Sequence, residues 1–327
     1  MRAERLVFTA RGRCEVDAFE VPDARLGAGE VVVRSVVSLL SPGTELAIFT
    51  HNHRGFDVPD HWARYPWFPG YATVGVVVDA GERSPLPTGT LVFHRMPHAS
   101  LYRLPADWLI PIPASLAPDR AVFFMLVQVA MTAMRRAPVR FGEQVVVLGQ
   151  GMVGNLAAQL AREAGARSVA GADLVASRLA IAQRCGVERQ WNLADRPLES
   201  WLEELGSPGA SYVVEAVGAG PSVDAALKAT ASGGRCVLLG STQVTLEFDP
   251  YFDVHKKGLD VVGAHEDTVD AETRRRDRPF ILDLLGRERV RVDPLLTHRL
   301  PFADAPRAYE GLRDDKEHWL GVLLEHG

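Results

Sequence analysis

The sequence predicts an α/β protein built from two parts, a β-rich segment and a doubly wound parallel sheet. Three observations carry that prediction. Residues 1–120 hold short valine-heavy runs (EVVVRSVV, VGVVVDAG, GTLVFH) broken by Gly and Pro, which are strand signals separated by turns. From about residue 121, apolar runs alternate with helical stretches of about 10–15 residues, the pattern of βαβ units around a parallel sheet. Between them, VVVLGQGMVG at 145–154 ends a β-branched run and opens an amphipathic helix through three spaced glycines.

The elements follow in order. After the N-terminal strands, the Pro-rich YPWFPG leads into PGYATVG (69–75), a turn fixed by one proline and two glycines. AVFFMLVQVAMTAM at 121–134 reads as a buried helix, too short to span a bilayer. Then come a strand ending at Leu148, the glycine turn and its helix, the strand SVAGAD, and the helical LVASRLAIAQRCG. SYVVEAVG, a helix around 221–231, GRCVLLGS and LDVVGAH continue the alternation. VRVDPLLTHRLP is strand-like and FADAPRAYEGLRDD helical. Domain boundaries are expected at 1–124, completed by 271–327, around a cofactor-binding domain at 125–270.

At 327 residues, with 47% hydrophobic and 24% charged residues, the chain has the composition of a soluble globular protein with room for two cores. A net charge of −5 offers no footprint for nucleic acid or an anionic membrane. The RRR cluster at 274–276, followed by Asp277, reads as a solvated helix face. MRAERLVFTARGR lacks the apolar core of a signal peptide, and Cys14, Cys185 and Cys236 are too scattered for a disulfide framework or a cysteine zinc site. A cytoplasmic protein is expected.

Gly149, Gly151 and Gly154 have G-x-G-x-x-G spacing. The first permits the tight turn, the second lets the backbone approach a pyrophosphate, and the third lets helix and strand pack closely. The helix N-terminus at Met152 and Val153 then offers unpaired N–H groups to phosphate. Asp173 ends the next strand roughly 20 residues later, where a carboxylate binds the ribose hydroxyls of NAD. It would repel a 2′-phosphate, which favours NAD(H) over NADP(H). Arg178 either lines the adenine side or is a solvated helix residue. Val217, Gly218, Gly240 and Ser241 end later strands, at the carboxyl edge where the nicotinamide half belongs.

SPGTE (41–45), PGYATVG (69–75), GQGMVG (149–154), Asp173 and DPLLTHRLPFADAPRAYEGL (293–312) together resemble the medium-chain dehydrogenase/reductase superfamily across essentially the whole chain. That resemblance implies a GroES-like catalytic domain flanking an inserted Rossmann domain, with the active site between them, and usually a homodimer. Zinc-dependent members carry Cys-Gly-Thr-Asp where this chain has Pro42-Gly43-Thr44-Glu45, and Gly-His-Glu where it has Gly70-Tyr71-Ala72. The third ligand is expected within FFMLVQ (123–128), which holds no Cys, His or carboxylate. A catalytic zinc takes about three protein ligands, so no zinc is expected. The four-cysteine structural lobe is missing too: VFHRMPHASLYRLP stands in its place.

Without a metal, side chains must move the proton and stabilise the developing alkoxide. Thr44 matches the family's proton-relaying hydroxyl, or it caps the helix that follows. Tyr71 either donates its phenol to a carbonyl oxygen or plugs the vacated metal position. Glu45 matches an acid near the metal and either orients Tyr71 or plays a structural part. His94 and His98 lie where the cleft-lining strand should pass, and each could titrate near neutral pH. His265 is placed near the nicotinamide edge or a subunit contact, while His51 and His53 read as solvated loop residues. The expected function is a zinc-independent, NAD-dependent alcohol dehydrogenase for a sugar-like, cyclitol or secondary-metabolite hydroxyl. A zinc-free quinone or enoyl reductase, an epimerase-like enzyme that retains NAD, and a non-catalytic NAD(H)-binding protein are the alternatives.

Overall fold

The structure, a computed structural model, describes residues 1–204 and 209–327. Its contacts divide the chain into one unit of Met1–Met125 with Leu296–Gly327 and a second of Leu126–Leu295.

The first unit opens with an antiparallel hairpin, β1 (Arg2–Ala10) and β2 (Arg13–Glu20). β3 (Glu30–Leu39) follows, then helix α1 (Pro42–Phe49), β4 (Thr73–Ala80), β5 (Leu91–His94), β6 (Leu101–Pro105), β7 (Ile110–Pro111) and the short α2 (Pro118–Ala121). β3 pairs antiparallel with both β4 and β6, and its valine-rich sequence is buried along nearly its whole length. Register sets Ser38 opposite Thr73, and Thr73 opposite His94. Directly opposed residues share a sheet face, so three polar side chains line up across the sheet.

Helix α3 (Phe124–Arg136) carries the chain into the second unit. There β8 (Gln144–Leu148), α4 (Met152–Glu163), β9 (Ser168–Asp173), α5 (Ala176–Arg184), β10 (Arg189–Asn192), α6 (Leu198–Glu204), β11 (Ala210–Glu215), α7 (Gly220–Ala229), β12 (Thr230–Leu238) and β13 (Asp260–Gly263) alternate. The sheet order is β10-β9-β8-β11-β12-β13, with every neighbouring pair parallel. This is the doubly wound dinucleotide-binding order, whose ligand crevice lies beyond the carboxyl ends of the first and fourth strands, here β8 and β11. Strands such as QVVVL are buried on both faces, which explains their continuous apolar runs. Among the described residues no helix is long and apolar enough to cross a membrane.

The second unit ends with α8 (Ala271–Gly286), past the expected boundary at 270. Arg135 of α3 donates to Asp277 of α8 at 3.0 Å, and Ile281, Leu284 and Leu285 are buried, so this helix packs with the second unit. Arg275 and Arg276 face solvent, as the sequence indicated, while Asp277 turns inward. The buried helix read over 121–134 is broken in two, since α2 stops at Ala121 and α3 starts at Phe124.

The chain then returns to the first unit as β14 (Leu296–Pro301), α9 (Ala305–Asp314) and β15 (Gly321–Glu325). β15 pairs with β14 and with β3. Tyr309 and Ala308 of α9 pack in one core with Phe8, Ile48, Phe49 and Leu324.

Candidate active site

In the second unit the glycine turn has the three geometries its spacing predicts. Gly149 has φ +90°, and a Cβ there would lie 2.6 Å from the Val217 side chain. Gly151, the residue that starts α4, has nothing within 4 Å of its Cβ position, so the backbone is open to a ligand. At Gly154 a Cβ would lie 1.9 Å from the Gly149 carbonyl oxygen. The first turn of α4 leaves the N–H groups of Met152, Val153 and Gly154 without helical acceptors, while the Met152 side chain is buried in the core.

Asp173 ends β9 in a nearly buried position. Its Oδ2 accepts from the Gln150 N–H at 2.7 Å and its Oδ1 from the Val175 N–H at 2.9 Å. Arg178 Nη1 lies 4.0 Å from Oδ2, so this arginine belongs to the carboxylate's surroundings and is not simply solvated. Across the crevice, Glu215 is fully buried at the end of β11 and accepts from Val217 N–H and Gly218 N–H, both at 2.8 Å, and from Ser222 at 2.7 Å. Gly218 has φ +79°, and a Cβ there would meet the Ser241 carbonyl oxygen at 2.6 Å. The four later positions named from sequence therefore lie together, with the Val217 side chain exposed. His265 is on an exposed turn, where its Nδ1 accepts from Asp267.

In the first unit the constrained turn is built around a histidine. Gly70 has φ +112°, and a Cβ would lie 2.5 Å from the His98 nitrogen and 2.7 Å from its ring. His98 N–H donates to the Pro69 carbonyl at 2.7 Å. Tyr71 is half-buried, and its phenol shares a short hydrogen bond with Ser41 Oγ. Ser41 is the residue before α1, and Pro42 fits the first helical position because its fixed φ suits it.

Glu45 is fully buried and holds this frame together. Its Oε1 accepts from the Ser41 N–H at 3.1 Å, its Oε2 accepts from the Tyr309 hydroxyl at 2.6 Å, and His98 Nε2 lies 3.4 Å away. Burial, then the Glu45 charge, pushes the Tyr309 phenol well above its ordinary range, so it remains a donor. Glu45 thus holds the backbone of Ser41, whose hydroxyl bonds Tyr71. Thr44 sits inside α1 and does not cap it, because the cap position is Ser41.

His94 is buried, accepts from Met96 N–H at 3.3 Å and meets the edge of Tyr102 at 5.4 Å. Burial, then the neighbouring His98, lowers it to about 3, so it stays neutral at ordinary pH and the expected titration near neutrality is corrected. His51 and His53 are also not simple solvated residues. His51 stacks on Phe56 at 3.8 Å, and His53 Nδ1 accepts from Gly55 N–H at 2.9 Å. Sequence reading missed Ser41, Tyr309, Gln150 and Glu215. Ser41 opens the SPGTE signal, Gln150 stands between the glycines and Tyr309 lies in the 293–312 tail, but nothing local gives Tyr309 its part.

A family model described as zinc-binding dehydrogenase matches residues 153–278. Sorbitol dehydrogenase 1 of Saccharomyces cerevisiae is 30% identical over 216 residues, covering 64% of this chain and 58% of its own. Sorbitol dehydrogenase of Pongo abelii is 29% identical over 298 residues, covering 90% of this chain and 76% of its own. The chain thus spans 58% of the length of the first curated relative it matches. A short chain alcohol dehydrogenase of Escherichia coli complexed with NADH has the same fold, with a TM-score of 0.83 at 18% identity over 99% of each chain.

The residues at the family's metal positions do not fit zinc. Pro42 has no donor, Ala72 is a buried methyl, and Tyr71 is engaged with Ser41. Among the described residues no group of three or more His, Cys, Asp or Glu is placed to hold a metal ion. For a dinucleotide the fit is good: an open second glycine, a free helix N-terminus and a carboxylate on the next strand.

Proposed function

We propose, for a chain that belongs to the medium-chain dehydrogenase/reductase superfamily, an NAD(H)-dependent dehydrogenase of polyol or sugar-like hydroxyls that works without a catalytic zinc. The observation that carries the reading is the Ser41–Tyr71 hydroxyl pair, backed by buried Glu45, where zinc-dependent members have ligands. The sorbitol dehydrogenase relatives support the substrate class, and the NADH-bound structural neighbour supports a nicotinamide cofactor.

Gly149, Gly151, Met152, Val153 and Gly154 would hold the pyrophosphate through backbone groups, and Asp173 the adenosine ribose. When bound, the nicotinamide exchanges a hydride with the carbinol carbon. The Ser41 and Tyr71 hydroxyls orient the substrate oxygen, and the pair accepts its proton as it releases one of its own. Glu45 fixes Ser41 through its backbone N–H, and Tyr309 fixes Glu45, so the pair is preorganised and reorients little during reaction. The reading includes a small-molecule substrate, a homodimer and a cytoplasmic location.

Purified protein should reduce NAD with one or more members of a panel of sorbitol, xylitol and cyclitols, at higher kcat/KM than with NADP, and hold far less than one zinc per chain. Activity that needs stoichiometric zinc would overturn the metal-free mechanism. Preference for NADPH with quinones or enones would move the protein to the reductase class. A second expectation concerns the turn: Gly154→Val should weaken NADH binding by at least about tenfold, measured by fluorescence titration, because the added carbons must displace the Gly149 carbonyl. Unchanged affinity would mean that this turn does not hold the cofactor.

A further inference from the structure

The polar side chains aligned across the first unit's sheet continue into a cluster that the chemistry above leaves unused. Ser38 Oγ on β3 lies 3.0 Å from His326 Nε2, beyond the end of β15. Thr73 stands opposite Ser38 and His94 opposite Thr73. His98 follows β5 and reaches Glu45. Within this set five atoms are buried without a hydrogen-bond partner among the described residues: Thr73 Oγ1, His94 Nε2, His98 Nδ1 and Nε2, and His326 Nδ1. The rings are near one another, since His98 acts electrostatically on both His94 and His326, and His94 on His326.

Native proteins pair nearly all buried polar atoms, with ordered water where no protein group is available. Five orphans in one place would cost as much as a domain's whole stability. Water is the occupant these atoms fit, because imidazole nitrogens and a hydroxyl supply both donors and acceptors. His326 is only partly covered, so this end of the cluster borders solvent, whereas the other end is the buried His98–Glu45 pair.

We propose that Thr73, His94, His98 and His326 enclose ordered water, and that this chain is the route by which the proton of alcohol oxidation passes from the Glu45 frame to solvent. The route rests on the dehydrogenase reading above; the water site does not. Oxidation of the carbinol sends two electrons with one hydrogen nucleus to the nicotinamide and releases one proton. That proton is accepted by the Tyr71–Ser41 hydroxyl pair as the pair releases one of its own, which ordered water beside Ser41 carries to the Glu45 carboxylate and its neighbour His98. From there each water or imidazole gains a proton on one atom and loses one from another, so one O–H or N–H bond forms for each that breaks. No charge is left behind, and exchange with the adjoining water restores each ring's tautomer.

Two measurements on the full chain test this. A crystal structure should show ordered water within hydrogen-bond distance of at least three of the five atoms. A dry cluster, or rings turned to pair directly with one another, overturns the proposal. The second uses His326→Gln, whose amide keeps a bond to Ser38 but cannot gain a proton on one atom and lose it from another. With NAD and the best polyol in stopped flow, wild-type NADH formation and dye-reported proton release should coincide. In H326Q the NADH burst should keep its rate while proton release slows by at least about tenfold and the solvent isotope effect on kcat rises. Proton release that keeps pace with NADH in H326Q overturns the route. Should no polyol reduce NAD in the wild type, the dehydrogenase reading and its route fall, and the crystal structure alone still decides the water site.

Discussion

Tyr71→Phe is expected to lower kcat for polyol oxidation by about 10²–10⁴-fold while leaving NADH affinity unchanged. The substitution separates the two parts this tyrosine can play. A ring that only fills the vacated metal position would be replaced by phenylalanine at almost no cost, because the two share shape and apolar area. A phenol that takes up the substrate proton loses its only reactive atom. The Ser41–Tyr71 hydrogen bond brings the two hydroxyls together, as the second part requires. Ser41→Ala should then cost less than Tyr71→Phe, and the double variant little more than Tyr71→Phe alone, because groups acting as a unit are not additive. Wild-type kcat in Y71F with any substrate of the panel would sink the hydroxyl mechanism and leave Tyr71 as a plug.

The glycine turn was legible because its constraints are those of the backbone. Gly149 needs a positive φ, Gly151 open space and Gly154 contact with the turn, and each leaves a glycine in the sequence at fixed spacing. Asp173 was found by the same logic, as the end of the next strand. The parallel pairing of the strands follows from the alternation of strands and helices.

The frame around Glu45 was only half legible. SPGTE and PGYATVG marked Glu45 and Tyr71, but the group that holds Glu45 is 264 residues away, on α9. Ser38 and His326 are 288 residues apart. Such contacts exist because β15 returns to pair with β3, and no local pattern states which side chains that return brings together. The histidines show the complementary problem. His98 is expected where a cleft-lining strand passes, yet Leu6 N–H donates to its carbonyl and the Pro69 carbonyl accepts from its N–H, which seals the ring inside. Burial, not residue type, decided that His94 is neutral.

That neutrality predicts steep acid sensitivity. Burial is the main cause that lowers both His94 and His326 to about 3, against an ordinary value of 6.5. Below pH 6.5 the unfolded chain binds protons that the native state refuses, so stability is full above that pH and falls as pH drops toward 3. The loss is about 1.4 kcal/mol per pH unit for each ring, or about 2 kcal/mol each at pH 5. Two rings together then remove about 4 kcal/mol from a domain whose whole stability is typically about 5–15 kcal/mol. Urea unfolding followed at pH 7, 6 and 5 should show the midpoint falling at each step. His326→Gln should remove about half of the fall, because glutamine does not titrate and keeps a hydrogen bond to Ser38. A wild-type midpoint that stays level from pH 7 to pH 5 would mean the rings accept protons in place, as they would if solvent entered freely. The burial that makes these rings costly to protonate also suits them to the proposed route, since a ring that cannot keep a proton can only pass it on.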